Sequence, residues 1–133
     1  MKVAVASTGN NLDSEISSVF GRCPYFIIAE IENGEIKTES AIENPAKNEQ
    51  RGAGIKAAQF IANQDVKTII SASVGPNAFD IIKQVGIKVY KIHSGSVKDN
   101  LELLIHGELE EFTSSSTGNR KGGMGGGRRR NPM

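Results

Sequence analysis

The sequence has few residues from which a metal centre or a base-stacking surface is built. Its 133 residues include one cysteine, two histidines and no tryptophan, and aromatic residues make up 5% of the chain. One cysteine excludes an intrachain disulfide and a four-cysteine zinc site within one chain, and scarce aromatics leave few platforms for stacking nucleic-acid bases. No apolar run approaches the roughly 18 residues of a membrane helix, and the apolar start, VAVA, is too short for a signal peptide. We therefore expect a cytoplasmic protein without membrane contact.

Charge is divided unevenly between two parts of the chain. Residues 113–133 hold five basic residues, no acidic residue and six of the 15 glycines, whereas residues 1–112 hold eleven basic and fifteen acidic residues. The glycine-rich part has too few bulky apolar side chains to offset its chain entropy, so we predict a single domain over 1–112 and a disordered basic tail over 113–133. A basic tail is able to contact nucleic acid or the acidic domain. The acidic domain and its few aromatics make nucleic-acid binding the least favoured interpretation.

Alternating and helical hydrophobic patterns divide the predicted domain into eight elements. Their order is strand, strand, strand, helix, strand, helix, strand, helix, over residues 2–6, 25–32, 35–42, 51–63, 67–71, 76–85, 87–92 and 97–106. Asn33-Gly34 is typical of a tight hairpin turn, and Ser96 with Asp99 has the form of a capping box. The order predicts a three-layer α/β sandwich, with a mixed five-stranded sheet and helices on both faces.

Three small, polar, glycine-containing loops follow the strands that are predicted to run parallel. They cover residues 7–10, 73–76 and 94–96. Ligands of open α/β sheets bind at the carboxyl ends of the strands, and two of these loops lead into helix N-termini, which favour anions. We therefore predict an anion pocket at this edge, although ordinary turns and caps use the same residue types. The candidate contacts in these loops and beside them are Ser7, Thr8, Gly9, Gly75 and His93.

Residues for catalysis are missing from the predicted sheet edge. The first strand carries no carboxylate for a two-metal nuclease centre. The sequence Gly52-Ala53-Gly54 lacks the Gly-Lys-Ser/Thr that completes a phosphate loop, and the two histidines do not indicate a Ser-His-Asp triad. Catalysis therefore has little support, and we predict a binding protein rather than an enzyme.

The most distinctive segment is FGRCPYF, residues 20–26. An arginine beside a cysteine is expected to lower the pKa of the thiol and to present a soft sulfur ligand next to a fixed positive charge. This pairing of Arg22 and Cys23 suits an anionic metal–sulfur species. The alternative, equally favoured on chemistry alone, is a buried cysteine that acts as a small hydrophobic residue.

This segment, the opening KVAVAS, the VGPNAF turn and the end of the domain, IKVYKI with SGSVKDNLELLIHGEL, resemble the nitrogenase iron–molybdenum cofactor biosynthesis domain family. The resemblance covers nearly all of residues 1–112. It implies a ribonuclease-H-like fold and a non-enzymatic carrier of an iron–sulfur or molybdenum-containing cluster precursor, with cluster donor and acceptor proteins as partners.

The resemblance assigns roles to two residues and departs from the family at a third. Arg22 matches the family's arginine after Phe-Gly and is the best anion contact, while Cys23 occupies a variable position and is the one thiolate available to a metal. Members associated with nitrogenase often carry a histidine where this sequence has Val19. A cluster is then held largely by Arg22 and backbone N–H groups, and such binding is labile, as a carrier requires. The alternative functions are a sensor of small anions or nucleotide phosphates, and nucleic-acid binding through the basic tail.

Overall fold

The computed structural model describes residues 1–93 and 95–114. The strands are β1 (Lys2–Ser7), β2 (Tyr25–Glu32), β3 (Glu35–Glu43), β4 (Thr68–Ser71) and β5 (Lys88–Lys91), and the helices are α1 (Ala53–Ala62), α2 (Pro76–Gln84) and α3 (Val97–Ile105). The predicted order of elements is confirmed, and the ends move by one or two residues. Ser94 and residues 115–133, most of the predicted tail, lie outside the described residues. No helix in the described ranges is long and apolar enough to cross a membrane.

The strands form one mixed sheet in the order β3-β2-β1-β4-β5. β1, β4 and β5 are parallel, whereas β2 is antiparallel to both β1 and β3. Two antiparallel steps return β3 to the direction of β1, so four of the five strands end at the same edge of the sheet. The helices that follow β3, β4 and β5 therefore begin at this edge, where ligands of open α/β sheets bind.

Alternation along β1 separates two hydrophobic cores. Ala4 and Ala6 face the larger core, beneath α1 and α2, whereas Val3 and Val5 face the smaller core, beneath α3. All four side chains are fully buried. A strand buried on both faces is typical of a sheet covered by helices on both sides, and it confirms the predicted three-layer α/β arrangement.

The two outer strands of the sheet have different surroundings. Residues 110–112 run beside β5, where the Lys91 N–H donates to the Glu110 carbonyl at 2.7 Å and the Phe112 N–H donates to the Val89 carbonyl at 2.8 Å. β3 has no such cover among the described residues. It carries an extra residue, Lys37, where its register with β2 shifts. A bulge of this kind increases the local twist of the strand.

Candidate functional site

A pocket of about 410 Å³ opens at the sheet edge where β3 and β4 end. Three parts of the chain form its walls: the loop before β2, the first turn of α1, and the loop and first turn that begin α2. The lining residues are 19–22, 52–55, 73 and 75–78. The pocket thus lies at the predicted edge, on the side of the sheet that α1 and α2 cover.

Both helices that begin at the pocket lack a capping side chain. Their N-cap residues are Gly52 and Gly75, and neither helix has an acidic residue in its first turn. The first amides with intrahelical acceptors belong to Lys56 and Phe79, each 2.9 Å from the carbonyl oxygen of its N-cap glycine. The earlier N–H groups have no intrahelical partner. Together with the positive ends of two helix dipoles, they favour an anion.

Neither N-cap glycine has a neighbour among residues 1–93 and 95–114 in the direction of a side chain. A Cβ added to Gly52 or Gly75 would meet no heavy atom within 4 Å. Gly52 has φ +69°, a value that favours glycine. Gly75, with φ −68° and ψ 167°, has an extended backbone that any residue adopts. The missing side chain at residue 75 therefore leaves the first amides of α2 open to the pocket.

Among the described residues that line the pocket, Arg22 is the one cation. Its Nε donates to the Glu49 carbonyl at 3.1 Å, and its Nη2 donates to the Gln50 carbonyl at 3.0 Å. A guanidinium has five N–H groups. Two of them hold the side chain against the segment before α1, and the other three have no partner among the described residues and remain for a ligand.

Cys23 neither lines the pocket nor reaches solvent. Its side chain is fully buried in the larger core. Burial raises the pKa of the thiol from 9.0 to about 12, against smaller opposite effects of hydrogen bonds from the Ser7 backbone and the Asn44 side chain. The predictions that Arg22 lowers this pKa and that the sulfur is exposed are therefore wrong. Arg22 faces solvent and Cys23 faces the core, so the alternative of a buried hydrophobic cysteine describes this residue.

The loop after β1 forms its own hydrogen bonds and does not join this pocket. Ser7 is buried, and its hydroxyl donates to the Gly9 carbonyl at 2.8 Å. The Thr8 hydroxyl donates to the Glu15 carbonyl at 2.9 Å, and Gly9 packs against the Ser14 side chain. The structure therefore does not bring the predicted contacts in this loop together with those that line the pocket.

The protein itself satisfies the N-terminus of α3. The predicted capping box is present: the Ser96 Oγ accepts from the Asp99 N–H at 3.1 Å, and the Asp99 carboxylate accepts from the Ser96 N–H at 3.2 Å. The N–H groups of Val97 and Lys98 both donate to carbonyl oxygens in the loop after β1, at 2.9 Å. These amides are not available to a ligand. His93 is exposed near this helix and does not line the pocket.

The α1 half of the pocket, residues 52–55, is absent from the contacts that the sequence pattern predicts. Its glycines do not form a phosphate loop, but both of them line the pocket. The order of elements does indicate that the start of α1 belongs to this edge of the sheet. Because a hairpin separates β1 from β3, the helix after β3 must begin at the same edge as the helix after β4.

The pocket offers hydrogen-bond donors and a positive charge. None of the described residues that line it is Asp, Glu, His or Cys, and no three such residues within 1–93 and 95–114 are placed to hold a metal ion. Val19, Phe20, Ile55 and Pro76 supply apolar wall. The arrangement is therefore suited to an anion that is recognised through its outer atoms, and not to a bare metal ion.

The fold and the pocket define a three-layer α/β domain with a donor-rich pocket at the carboxyl edge of its sheet. Residues 1–107 match the family described as dinitrogenase iron–molybdenum cofactor. The chain belongs to this family, which confirms the resemblance seen in its motifs.

Relatives and solved structures agree with this membership. The chain is 45% identical to uncharacterized protein MJ0580 of Methanocaldococcus jannaschii over 112 residues, which cover 84% of this chain and 92% of the relative. A Thermotoga protein provisionally assigned as NifB is 34% identical, with a TM-score of 0.73 over 89% of this chain and 98% of its own. The apo orange protein of Desulfovibrio gigas has a TM-score of 0.79 at 24% identity, over 87% of this chain and 96% of its own. This last similarity shows that the two proteins share a fold.

Proposed function

We propose that the protein is a non-enzymatic carrier of an anionic metal–sulfur cluster, an iron–sulfur or molybdenum-containing precursor of the cofactor for which its family is named. Family membership supports the cofactor chemistry. One observation carries the proposal: two uncapped helix N-termini and Arg22 converge on a pocket whose described lining contains no acidic side chain.

The set of donors suits transfer better than permanent binding. Sulfide atoms at the surface of an anionic cluster accept hydrogen bonds, and bonds between charged partners are the stronger ones. A cluster held in this way forms no bond between metal and protein, so its release breaks hydrogen bonds only. The proposal therefore requires two kinds of partner, a protein that delivers the cluster and a protein that accepts it.

In this proposal Arg22 and Gly75 contact the cluster, together with the amides of 53–55, 77 and 78. The role of Cys23 as a metal ligand stays a prediction. It requires the thiol to leave the core and to lose a proton before it binds metal. The other predicted contacts, which a loop rearrangement would have to bring to the pocket, are Ser7, Thr8, Gly9 and His93.

Anaerobic reconstitution tests the proposal. The protein is mixed with iron–sulfur and molybdenum–sulfur cluster donors, desalted, and analysed for bound metal and sulfide. We expect stoichiometric binding by the wild type, several-fold weaker binding by Arg22→Ala, and unchanged binding by Arg51→Ala, since Arg51 is exposed nearby but does not line the pocket. No metal on the wild type, or equal losses in the two arginine variants, contradicts the proposal. Binding kept in Cys23→Ala shows that the thiol is not a ligand.

A second candidate is a sensor of small anions or nucleotide phosphates. The uncapped helix N-termini favour it, because free amides at helix ends bind phosphate readily. Thermal-shift screening separates the candidates, since a ligand of the folded state raises the Tm. A phosphate compound that raises the Tm of the wild type but not of Arg22→Ala supports the sensor. No shift with any such compound at millimolar concentration counts against it.

Other expectations stay predictions. Nucleic-acid binding through 113–133 concerns residues that lie mostly outside the described ranges. It predicts salt-sensitive binding that deletion of 113–133 abolishes. The ribonuclease-H-like label and the cytoplasmic location also remain to be tested.

A further inference from the structure

We infer that Asn44 positions Arg22 for its cargo, an inference that rests on the proposed function of the pocket. Asn44 directly follows β3 and is 1% exposed. It does not line the pocket, so it acts through other residues. Its role is therefore that of a positioning residue.

The Asn44 side chain holds the backbone on both sides of Arg22. Its Nδ2 donates to the Gly21 carbonyl at 3.0 Å and to the Cys23 carbonyl at 2.9 Å. Its Oδ1 accepts from the Ala46 N–H at 2.9 Å. The opposite orientation of the amide would set Oδ1 against two carbonyl oxygens, so these partners fix which atom is which. Both hydrogens and the oxygen of the amide are thus used inside the protein.

Arg22 in turn holds the segment that leads from Asn44 into α1. Its guanidinium donates to the carbonyl oxygens of Glu49 and Gln50, just before the N-cap of that helix. The two sets of hydrogen bonds close a ring. Asn44 fixes the backbone at Arg22, and the Arg22 side chain fixes the chain between Asn44 and α1. This ring sets the place of the Arg22 charge relative to the α1 amides that line the same pocket.

Exchange of the Arg22 Nε hydrogen tests the ring without any cargo. NMR spectroscopy of the full chain should show slow exchange at Arg22. Exchange should be fast at Arg51, whose side chain makes no hydrogen bond to any described residue. Asn44→Asp has the same shape but loses both donated hydrogen bonds, so it should make exchange at Arg22 fast. The matched control is Asn100→Asp at another fully buried asparagine, which accepts from the His93 N–H on the α3 side. It should leave Arg22 unchanged. Fast exchange at Arg22 in the wild type overturns the inference.

A double-mutant cycle tests whether Asn44 acts through Arg22, with tetrathiomolybdate as the probe anion. We expect Asn44→Asp to weaken binding about tenfold in the wild type and less than about twofold in Arg22→Ala, because residues in one network are not additive. Equal losses in both backgrounds overturn the inference and leave the proposed function standing. A wild type that binds neither this probe nor a cluster overturns the proposed function itself. If Asn44→Asp is too unstable to purify, Asn44→Ala, which buries no carboxylate, takes its place in the cycle.

Discussion

Gly21 lies so close to the backbone of Gly54 that a methyl group on residue 21 would lie 2.7 Å from the Gly54 amide nitrogen and 2.9 Å from its Cα. This contact packs the loop that carries Arg22 against the first turn of α1. Neither atom belongs to a flexible side chain, so the loop or the helix must move if residue 21 gains a Cβ.

Gly21→Ala should therefore destabilise the protein by about 1–3 kcal/mol, the usual cost of overpacking. Urea unfolding measures the change. Gly54→Ala is the matched control, since its Cβ would lie 3.4 Å from that of Ala78, an ordinary contact, and alanine is preferred to glycine within a helix. A Gly21→Ala variant as stable as Gly54→Ala would contradict this account of the contact.

Gly75→Ser should separate stability from binding. A serine at the N-cap accepts from the amides of the first turn, so it should stabilise α2 by a few tenths of a kcal/mol. The same hydroxyl competes with an anion for those amides and should weaken binding of tetrathiomolybdate. Thermal unfolding without ligand and a titration with ligand measure the two effects. A raised Tm with unchanged affinity shows that the α2 amides do not hold the anion.

Ser96→Ala should lower the stability of the protein without changing its affinity for the anion. Loss of the capping box should cost about 1 kcal/mol of stability, but the α3 amides lie outside the pocket, so affinity for the anion should not change. Urea unfolding and the same titration provide the measurements. An affinity of Ser96→Ala below that of the wild type would assign the α3 N-terminus to the site.

The pKa of Cys23 predicts how stability depends on pH. The thiol titrates near 9.0 in the unfolded chain and at about 12 in the folded protein. Above pH 9 the unfolded state loses this proton while the folded state keeps it, so the free energy of unfolding falls as the pH rises towards 12. The loss should approach roughly 1.4 kcal/mol per pH unit. Below pH 9 both states hold the proton, and the thiol has no effect on the slope.

Urea unfolding at a series of pH values measures this loss. Cys23→Ala keeps all the other titrating groups and is therefore the control for the slope. A thiol reagent offers a second check, since labelling should be slow in the folded protein and fast in guanidinium. Parallel pH profiles of the two proteins, or fast labelling of the folded state, would show that the thiol is accessible.

Patterns between near neighbours along the chain were sufficient to predict most of the fold. Asn33-Gly34 has positive φ at both residues, 54° and 75°, as the tight hairpin turn requires. The capping box of Ser96 and Asp99 is present as its spacing predicts. Such features depend on a few successive residues, and so they can be read locally.

The site was predictable only in part, because it depends on contacts between distant segments. Of the predicted contacts, Arg22 and Gly75 line the pocket, and their contact with a ligand stays a prediction. Whether Cys23 faces solvent or the core depends on how its loop packs, and its sequence neighbour Arg22 takes the opposite side. The α3 amides are satisfied by carbonyl groups of the loop after β1, a contact that no local pattern encodes.

The extra residue at Lys37 affects how copies of the protein meet one another. An outer strand of nine residues, such as β3, is long enough to act as a template on which a second chain adds a strand. The bulge bends this template, and the charge of Lys37 interrupts it. Residues 110–112 occupy the other end of the sheet. At high concentration, strand addition between copies of the protein is therefore disfavoured at β3, and so is the fibril growth that would follow from it.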